Sequence, residues 1–528
     1  MRSELTEPLW MAFWPENVPK TISYPEIPVF AILSNAARTF GEKVATFYKG
    51  NRLTFRELED LSDRFACAIH AMGVRKGDRV IVYLRNSPEF IIVYYGILKA
   101  GGIVITASPM FREMELTYQA NDSGAETIVF LDALYPNIEP LIDHTCLKRF
   151  ISVGDQTIPE ALPFKEILSQ YPPHPPKVAI DPKNDVAVIQ YTGGTTGIPK
   201  GAMMTHFNLV SNAIMNARWF TWAEKDRVMG VTPFYHTWGP TVCINSVFYV
   251  GATVYIMSHF EPEECLELIQ RERITIFYGV TSLWQIFINH PSIRKYDLSS
   301  LRYVKAGGMP VLSEVKNEWE RITGVPLVPG YGLTEASPEC TNNPLHRVKI
   351  GTIGIPIIDT QARVIDLEKG TPLPPGKEGE LLIRGPQVMK GYWNRPEETE
   401  RTLEKGWLHT GDIVYMDEEG YFHFVERFKD MIKYKGYGVF PAELEDLLLQ
   451  HPAVRECSVI GRPDPVAGEI PFAFVVLKDG QSLDANELIE FCREKIAPYK
   501  RIREVRFVEE LPKTPVGKIL KRTLRDLV

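Results

Sequence analysis

The sequence has little of what would make a protein extracellular, membrane-spanning or nucleic-acid-binding. Its seven cysteines (Cys67, Cys146, Cys243, Cys265, Cys340, Cys457 and Cys492) are odd in number, and no two stand in a CxxC spacing. That excludes an obvious structural zinc site or disulfide framework and fits a reducing, cytoplasmic compartment. The opening residues Met1-Arg2-Ser3-Glu4-Leu5 lack the basic-then-apolar profile of a secretory signal. No uninterrupted apolar run of about 18 residues occurs, so no membrane span is expected. The best candidate, Phe90 to Leu98, is short and reads as a buried helix. An excess of positive charge is also missing: 59 Lys+Arg face 66 Asp+Glu, a net charge of −7. Such a surface does not draw nucleic acid or anionic lipid in bulk, so any bound anion must be met by local basic groups.

What is present suits a globular enzyme. With 528 residues, 45% hydrophobic and 24% charged, the chain is long enough for about three units at roughly 150 residues each. From Leu53 onward, helical and strand patterns alternate. Thr54-Phe55-Arg56-Glu57 reads as a capping box. Phe55, Leu58, Leu61, Phe65, Ile69 and Met72 then recur at helical spacing until Gly73. Apolar strands are predicted at Arg79–Leu84, Ile103–Ile105 and Thr127–Phe130, with a helix from Pro88 to Ala100. Buried strands joined by helices imply a parallel sheet covered on both faces. The Pro-rich stretch Tyr171–Pro176 reads as a loop, after which strands and helices alternate again to about residue 350. A strand-rich stretch follows, and the last hundred or so residues read as a small α+β unit. The predicted class is therefore α/β: two layered α/β sheet subdomains (about 1–175 and 176–350) and a small β-rich one (351–428), then a C-terminal α+β domain (429–528).

The strongest local signal is Tyr191-Thr192-Gly193-Gly194-Thr195-Thr196-Gly197-Ile198-Pro199-Lys200-Gly201, directly after the apolar Val186-Ala187-Val188-Ile189. Glycines expose backbone amides, threonines add hydroxyl donors, and one lysine adds charge, a combination suited to a polyphosphate. It is not a Walker loop, because Lys200 precedes glycine rather than Ser or Thr and the Gly-to-Lys spacing is wrong.

This segment resembles the signature of the adenylate-forming superfamily of acyl-CoA synthetases, aryl-CoA ligases, luciferases and peptide-synthetase adenylation domains. Four further stretches resemble that family's motifs in order. They are Gly330-Tyr331-Gly332-Leu333-Thr334-Glu335, then Thr410-Gly411-Asp412, then Glu426 to Lys433 with Tyr434-Lys435-Gly436-Tyr437, and finally Pro512-Lys513-Thr514-Pro515-Val516-Gly517-Lys518. The resemblance covers nearly the whole chain and is nearest to fatty-acid–CoA ligases.

It implies an enzyme that activates a carboxylate with ATP and passes the acyl group to coenzyme A. On that basis Thr192, Gly193, Gly194, Thr195, Thr196 and Lys200 would hold the β- and γ-phosphates. Glu335 would bind Mg²⁺ and Thr334 would meet the α-phosphate. Tyr331, flanked by Gly330 and Gly332, would lie on one face of the adenine, with Gly308, Met309 and Pro310 on the other. Asp412 would accept the ribose hydroxyls, and Arg427 would add a donor. Lys518 would bridge the acyl carboxylate and the α-phosphate. Lys435 and Gly436 would serve thioester formation. Lys429 would occupy a hinge, with Lys433 in the segment that follows, because the family rotates its C-terminal domain between half-reactions. His236, in Thr232-Pro233-Phe234-Tyr235-His236-Thr237-Trp238, either orients the carboxylate or gates the thiol tunnel.

The acid is less legible. Phe277 to Trp284 would line its pocket, and Tyr235, Trp238, Val280 and Trp284 suit either an apolar acid or a core. Many relatives carry proline where Thr281 stands. A medium- or long-chain fatty acid is favoured over an aryl acid of the benzoate or cinnamate type. No Asp or Glu lies in Thr232–Thr241 to hold a substrate ammonium, which disfavours an amino-acid adenylation domain. Intact Lys200, Glu335, Asp412, Lys435 and Lys518 disfavour an inactive nucleotide-binding regulator. The partners expected are a small carboxylic acid, ATP and coenzyme A, with a homodimer left open.

Overall fold

The helix expected after Leu53 begins with the reciprocal cap that its sequence encodes. Thr54 Oγ1 accepts the amide of Glu57, and the Glu57 carboxylate accepts the amide of Thr54 at 2.7 Å. The helix runs Phe55–Ala71 and stops before Gly73, whose φ of +99° only glycine adopts without strain. In this computed structural model the described residues are 7–192, 199–309, 311–427, 430–434, 437–493, 495–496, 498–513 and 519–528. They form two compact units, one from Met1–Ala362 with Ile383–Leu408, the other from Arg363–Leu382 with His409–Val528. The α/β class expected from the strand and helix patterns is borne out.

The first unit contains two large sheets. The eight-stranded sheet runs in the order Gly391–Tyr392, Lys200–Thr205, Val186–Thr192, Ile103–Thr106, Arg79–Tyr83, Thr127–Leu131, Arg149–Val153 and Ala161–Pro163. Its last six strands are parallel, and the first two are antiparallel additions. The nine-stranded sheet has a parallel centre, in the order Leu327–Gly332, Tyr303–Gly307, Ile276–Val280, Arg227–Gly230, Thr253–Ile256 and Val44–Tyr48. Antiparallel strands close both edges: Glu339–Asn342 and Ile355–Pro356 on one side, Asn51–Thr54 on the other.

Apolar sheet faces must be covered, and helices cover these. In the helix Pro88–Lys99 every residue from Phe90 to Lys99 is buried. Its rings meet those of Phe234 (Phe90, 5.6 Å) and Phe248 (Tyr95, 6.1 Å), and the Tyr95 hydroxyl donates to Asn245 at 2.8 Å. On the nine-stranded sheet Phe277 packs against Trp284 and Phe287, and both of these meet Trp319. Trp284 and Phe277 therefore belong to the core.

In the second unit, Asp412–Met416 of the strand Trp407–Met416 pair antiparallel with Phe422–Arg427. A separate five-stranded sheet is built on the long hairpin Val454–Asp464 with Gly468–Leu477. The helices Pro441–Leu449 and Ala485–Arg493 cover one face of it, and Leu511 and Leu524 pack on the other. No described helix is long and apolar enough to cross a membrane.

Candidate active site

Parallel strands of an α/β sheet leave their carboxyl ends free for loops that bind ligands. In the nine-stranded sheet four neighbouring strands end in the candidate residues. Arg227–Gly230 leads to His236, Ile276–Val280 to Thr281, Tyr303–Gly307 to Gly308 and Met309, and Leu327–Gly332 to Thr334 and Glu335. The register pairs Val280 with Gly307 and Ala306 with Pro329, which brings Gly308–Met309 beside Gly330–Tyr331. Thr281 Oγ1 donates to the Met309 carbonyl at 3.2 Å, tying two of these ends together.

Close packing accounts for two of the glycines at these strand ends. A Cβ on Gly332 would stand 2.0 Å from the Pro338 carbonyl oxygen, and one on Gly330 would fall 2.2 Å from Asn342 Oδ1. A side chain at Gly332 would force the Pro338 backbone to move, and one at Gly330 would displace the buried Asn342 and Lys305 side chains.

The Gly/Thr-rich segment is flanked by two antiparallel strands, Val186–Thr192 and Lys200–Thr205. Thr192 pairs with Lys200 and Tyr191 with Gly201, so both ends of 193–198 are fixed by ladder bonds. Tyr118 donates to the Pro199 carbonyl at 2.7 Å. The Tyr191 hydroxyl donates to Asp122 at 2.7 Å, and Arg395 pairs with the same carboxylate at 2.8 Å. Lys200 Nζ lies 3.2 Å from Glu398 and 5.3 Å from the centroid of the Tyr392 ring. The Tyr392 hydroxyl in turn donates to Glu335 Oε1 at 2.8 Å. Burial, then the charge and hydrogen bond of Glu335, push the Tyr392 phenol well above its ordinary pKa, so it stays a neutral donor. Gly391–Tyr392 is the strand that pairs with Lys200–Thr205, and it thus joins the strands flanking the glycine-rich segment to Glu335.

His236 sits in a tight turn. Its amide donates to the Pro233 carbonyl at 3.2 Å, and its Nδ1 accepts the Trp238 amide at 3.3 Å. The turn is stapled by residues that sequence reasoning passed over. Buried Asn86 donates to the carbonyls of Gly230 and Thr232 and accepts the amide of Phe234 at 2.8 Å. Thr106 Oγ1 lies 2.8 Å from the Tyr235 carbonyl. Also missed were Tyr392, Glu398 and a buried ion pair, Lys305–Glu339, whose side chains are 2% and 4% exposed. A lone Asn or Tyr far from a motif carries no signal in sequence. Lys305, inside the apolar run Tyr303–Ala306, did.

In the second unit Asp412 and Arg427 are opposite each other across the pair Trp407–Met416 and Phe422–Arg427, with Nε 3.1 Å from Oδ1. Asp412 is buried, Gly411 takes a φ of +67°, and its amide bonds Glu380 at 3.0 Å. Lys433 stands apart from that pair on the strand Ile432–Tyr434, with an exposed side chain. Lys513 bridges to Ile519, and Leu520 donates to the Pro512 carbonyl at 2.8 Å, closing the base of 514–518. Gly193, Gly194, Thr195, Thr196, Pro310, Lys429, Lys435, Gly436 and Lys518 lie outside the described residues.

Comparison with known proteins shows the family. The model of the AMP-binding enzyme family matches residues 33–393, more than half of the chain. The chain belongs to the AMP-binding enzyme family. The C-terminal domain model of the same family matches 443–518. The long-chain-fatty-acid–CoA ligase of Bacillus subtilis (strain 168) is 39% identical, over 98% of this chain and 97% of that one. Among solved structures, ATP-bound MatB from Rhodopseudomonas palustris superposes with a TM-score of 0.88 at 29% identity, covering 95% of this chain and 98% of its own. A long-chain-fatty-acid–CoA ligase from Archaeoglobus fulgidus reaches a TM-score of 0.74 at 32% identity, covering 94% and 99%. ATP and coenzyme A are substrates of ligases in this family.

Proposed function

We propose that this AMP-binding enzyme is an acid–CoA ligase that converts a medium- or long-chain fatty acid into its adenylate and then into its coenzyme A thioester. The observation that carries the reading is the run Lys200, Tyr392, Glu335. Three separate stretches of chain put a cation, a phenol donor and a carboxylate side by side next to a glycine- and threonine-rich segment. Extensive similarity to fatty-acid–CoA ligases supports the acid class.

A carboxylate is a poor acyl donor because its oxygen leaves badly. Attack on the α-phosphate of ATP joins that oxygen to AMP and expels pyrophosphate, and the acyl-adenylate then has a good leaving group. The protein's share is positioning and neutralising charge. Lys200, Thr192 and the backbone of 193–196 would hold the outer phosphates. Thr334 would donate to the α-phosphate. Tyr331 on one side and Gly308-Met309-Pro310 on the other would sandwich the base. Asp412 and Arg427 would hold the ribose, one as acceptor and one as donor. Lys518 would steady the charge shared by the attacking carboxylate and the α-phosphate. Lys435 and Gly436 would guide the thiol, with Lys429 as the hinge, and His236 would orient the acid.

A Mg²⁺ ion fits Glu335. Its half-buried carboxylate takes one hydrogen bond from a neutral phenol, and hard oxygen beside phosphate is the donor set this ion prefers. When bound, it would neutralise charge on the departing pyrophosphate.

Half-reaction assays test the assignment. Lys518→Ala is expected to abolish acid-dependent pyrophosphate release while thioester formation from supplied acyl-adenylate persists. Lys435→Ala is expected to do the reverse. Near-normal pyrophosphate release in Lys518→Ala would overturn the division of labour between these two lysines.

A further inference from the structure

The mechanism makes no use of a pair of charges sealed in the sheet behind the candidate site. Lys305 points from the strand Tyr303–Gly307 and Glu339 from the strand Glu339–Asn342, and their charged ends touch. Both side chains are almost wholly buried, an arrangement that costs desolvation and adds little stability over an apolar pair of similar volume. Burial lowers the Lys305 pKa, and the neighbouring Glu339 opposes that shift.

Glu339 is held on every side. The oxygen that meets Lys305 also accepts the Asn342 side-chain amide at 3.0 Å, and the Glu339 backbone is clasped by Asn212 through bonds of 3.0 and 2.9 Å. Its remaining oxygen accepts the Trp238 indole N–H at 2.6 Å. The Lys305 ammonium lies 5.7 Å from the Trp238 ring centroid and 5.2 Å from that of Tyr278. Trp238 is thereby fixed by hydrogen bond and cation. Its ring covers Gly307, where a Cβ would meet indole carbons at 3.1 and 3.2 Å. One residue further on, Gly308 is exposed, and Val280 and Met309 are half-buried. The indole thus lies between the exposed ends of these strands and the sealed charge behind it.

We infer that the Lys305–Glu339 pair is a specificity device: it locks the Trp238 indole across Gly307 as the closed end of the acid-binding cleft, so that the length of the acyl chain accepted is capped there. The inference rests on the acid–CoA ligase reading and deepens it. An apolar tail gains nothing by pressing on a rigid indole backed by an ion pair, whereas each methylene that finds a buried site is worth roughly four-fold in binding. Lys305 and Glu339 are positioning residues, acting through Trp238.

The test measures acid-dependent pyrophosphate release with straight-chain acids from butanoate to palmitate in three variants. Replacing the whole pair by apolar side chains of similar volume is tolerated where removing one partner is not, so both charges are removed together. Lys305→Met with Glu339→Leu deletes the acceptor for the indole, and Trp238→Ala deletes the ring. Both are expected to move the preferred acid to longer chains. The ratio of kcat/KM for long over short acids should rise on the order of ten-fold or more, with KM for ATP little changed. Lys305→Met with Glu339→Gln removes both charges but keeps an acceptor for the indole, and is expected to shift the profile less than the Met/Leu variant does. A merely structural role would lower the rate for all acids alike and leave the profile in place. An unchanged profile in the Met/Leu variant, or an equal shift in the Met/Gln variant, overturns the inference. A wild-type enzyme that turns over no acid overturns the ligase reading itself and this inference with it.

Discussion

Tyr392 is the residue whose role is least visible in sequence and most open to test. Its hydroxyl aims at Glu335 and its ring faces Lys200, so Tyr392→Phe removes one hydrogen bond and little volume. A bond to a charged acceptor is worth about 1.5–3 kcal/mol. On the proposed reading, kcat/KM for ATP is expected to fall roughly ten-fold or more, with the melting temperature nearly constant. Steady-state kinetics at saturating acid checks it. The candidate residues themselves were legible because dense Gly/Thr/Lys text and a carboxylate after Gly-Tyr-Gly carry chemistry in their composition. Tyr392 and Asn86 carry none. They matter because the fold brings them to Glu335 and to the turn before His236, and one-dimensional spacing does not encode that.

At the scale of elements, the helix His206–Trp219 couples stability to pH. Its first residue is buried, and His206 Nδ1 accepts the amide of Val29 at 3.0 Å, just before the helix Phe30–Phe40. Burial lowers its pKa from 6.5 to about 4. The unfolded chain therefore takes up the proton first. Stability is intact above pH 6.5, falls as pH drops from 6.5 towards 4, and is flat below that, a loss of about 3 kcal/mol when complete. His206→Gln, whose amide oxygen can still accept from Val29, is expected to melt with a smaller drop between pH 7 and pH 4.5 than the wild type. Thermal melts at the two pH values measure it. Element types were read well wherever apolar runs were long: the helix expected from Pro88 to Ala100 runs Pro88–Lys99. The strand Lys200–Thr205 was missed because it opens with Lys-Gly and pairs across the glycine-rich segment. The hairpin of Val454–Asp464 and Gly468–Leu477 runs past its apolar centre into Arg462, Asp464 and Gly468, which a hydrophobic pattern does not register.

For the whole molecule, binding of ATP to the folded state alone must raise stability by mass action. With free nucleotide at about 100 times its Kd the gain is about 2.7 kcal/mol. A rise of several degrees in melting temperature is expected with ATP and magnesium, and chelation by EDTA should remove most of it, since Glu335 would otherwise face the phosphates as an uncompensated like charge. A shift as large with EDTA as without it would argue against metal binding by Glu335.

The strand Val44–Tyr48 lies beside Thr253–Ile256, and Lys200–Thr205 beside Gly391–Tyr392. In each case a segment made early waits for a partner about 200 residues away. At about 5–20 residues per second on the ribosome, the first of those waits lasts on the order of 10–40 seconds. Neither large sheet can finish during that interval. The nascent polypeptide therefore carries unpaired strand edges for tens of seconds, the period in which a chaperone has most to offer it and a crowded cell most to take.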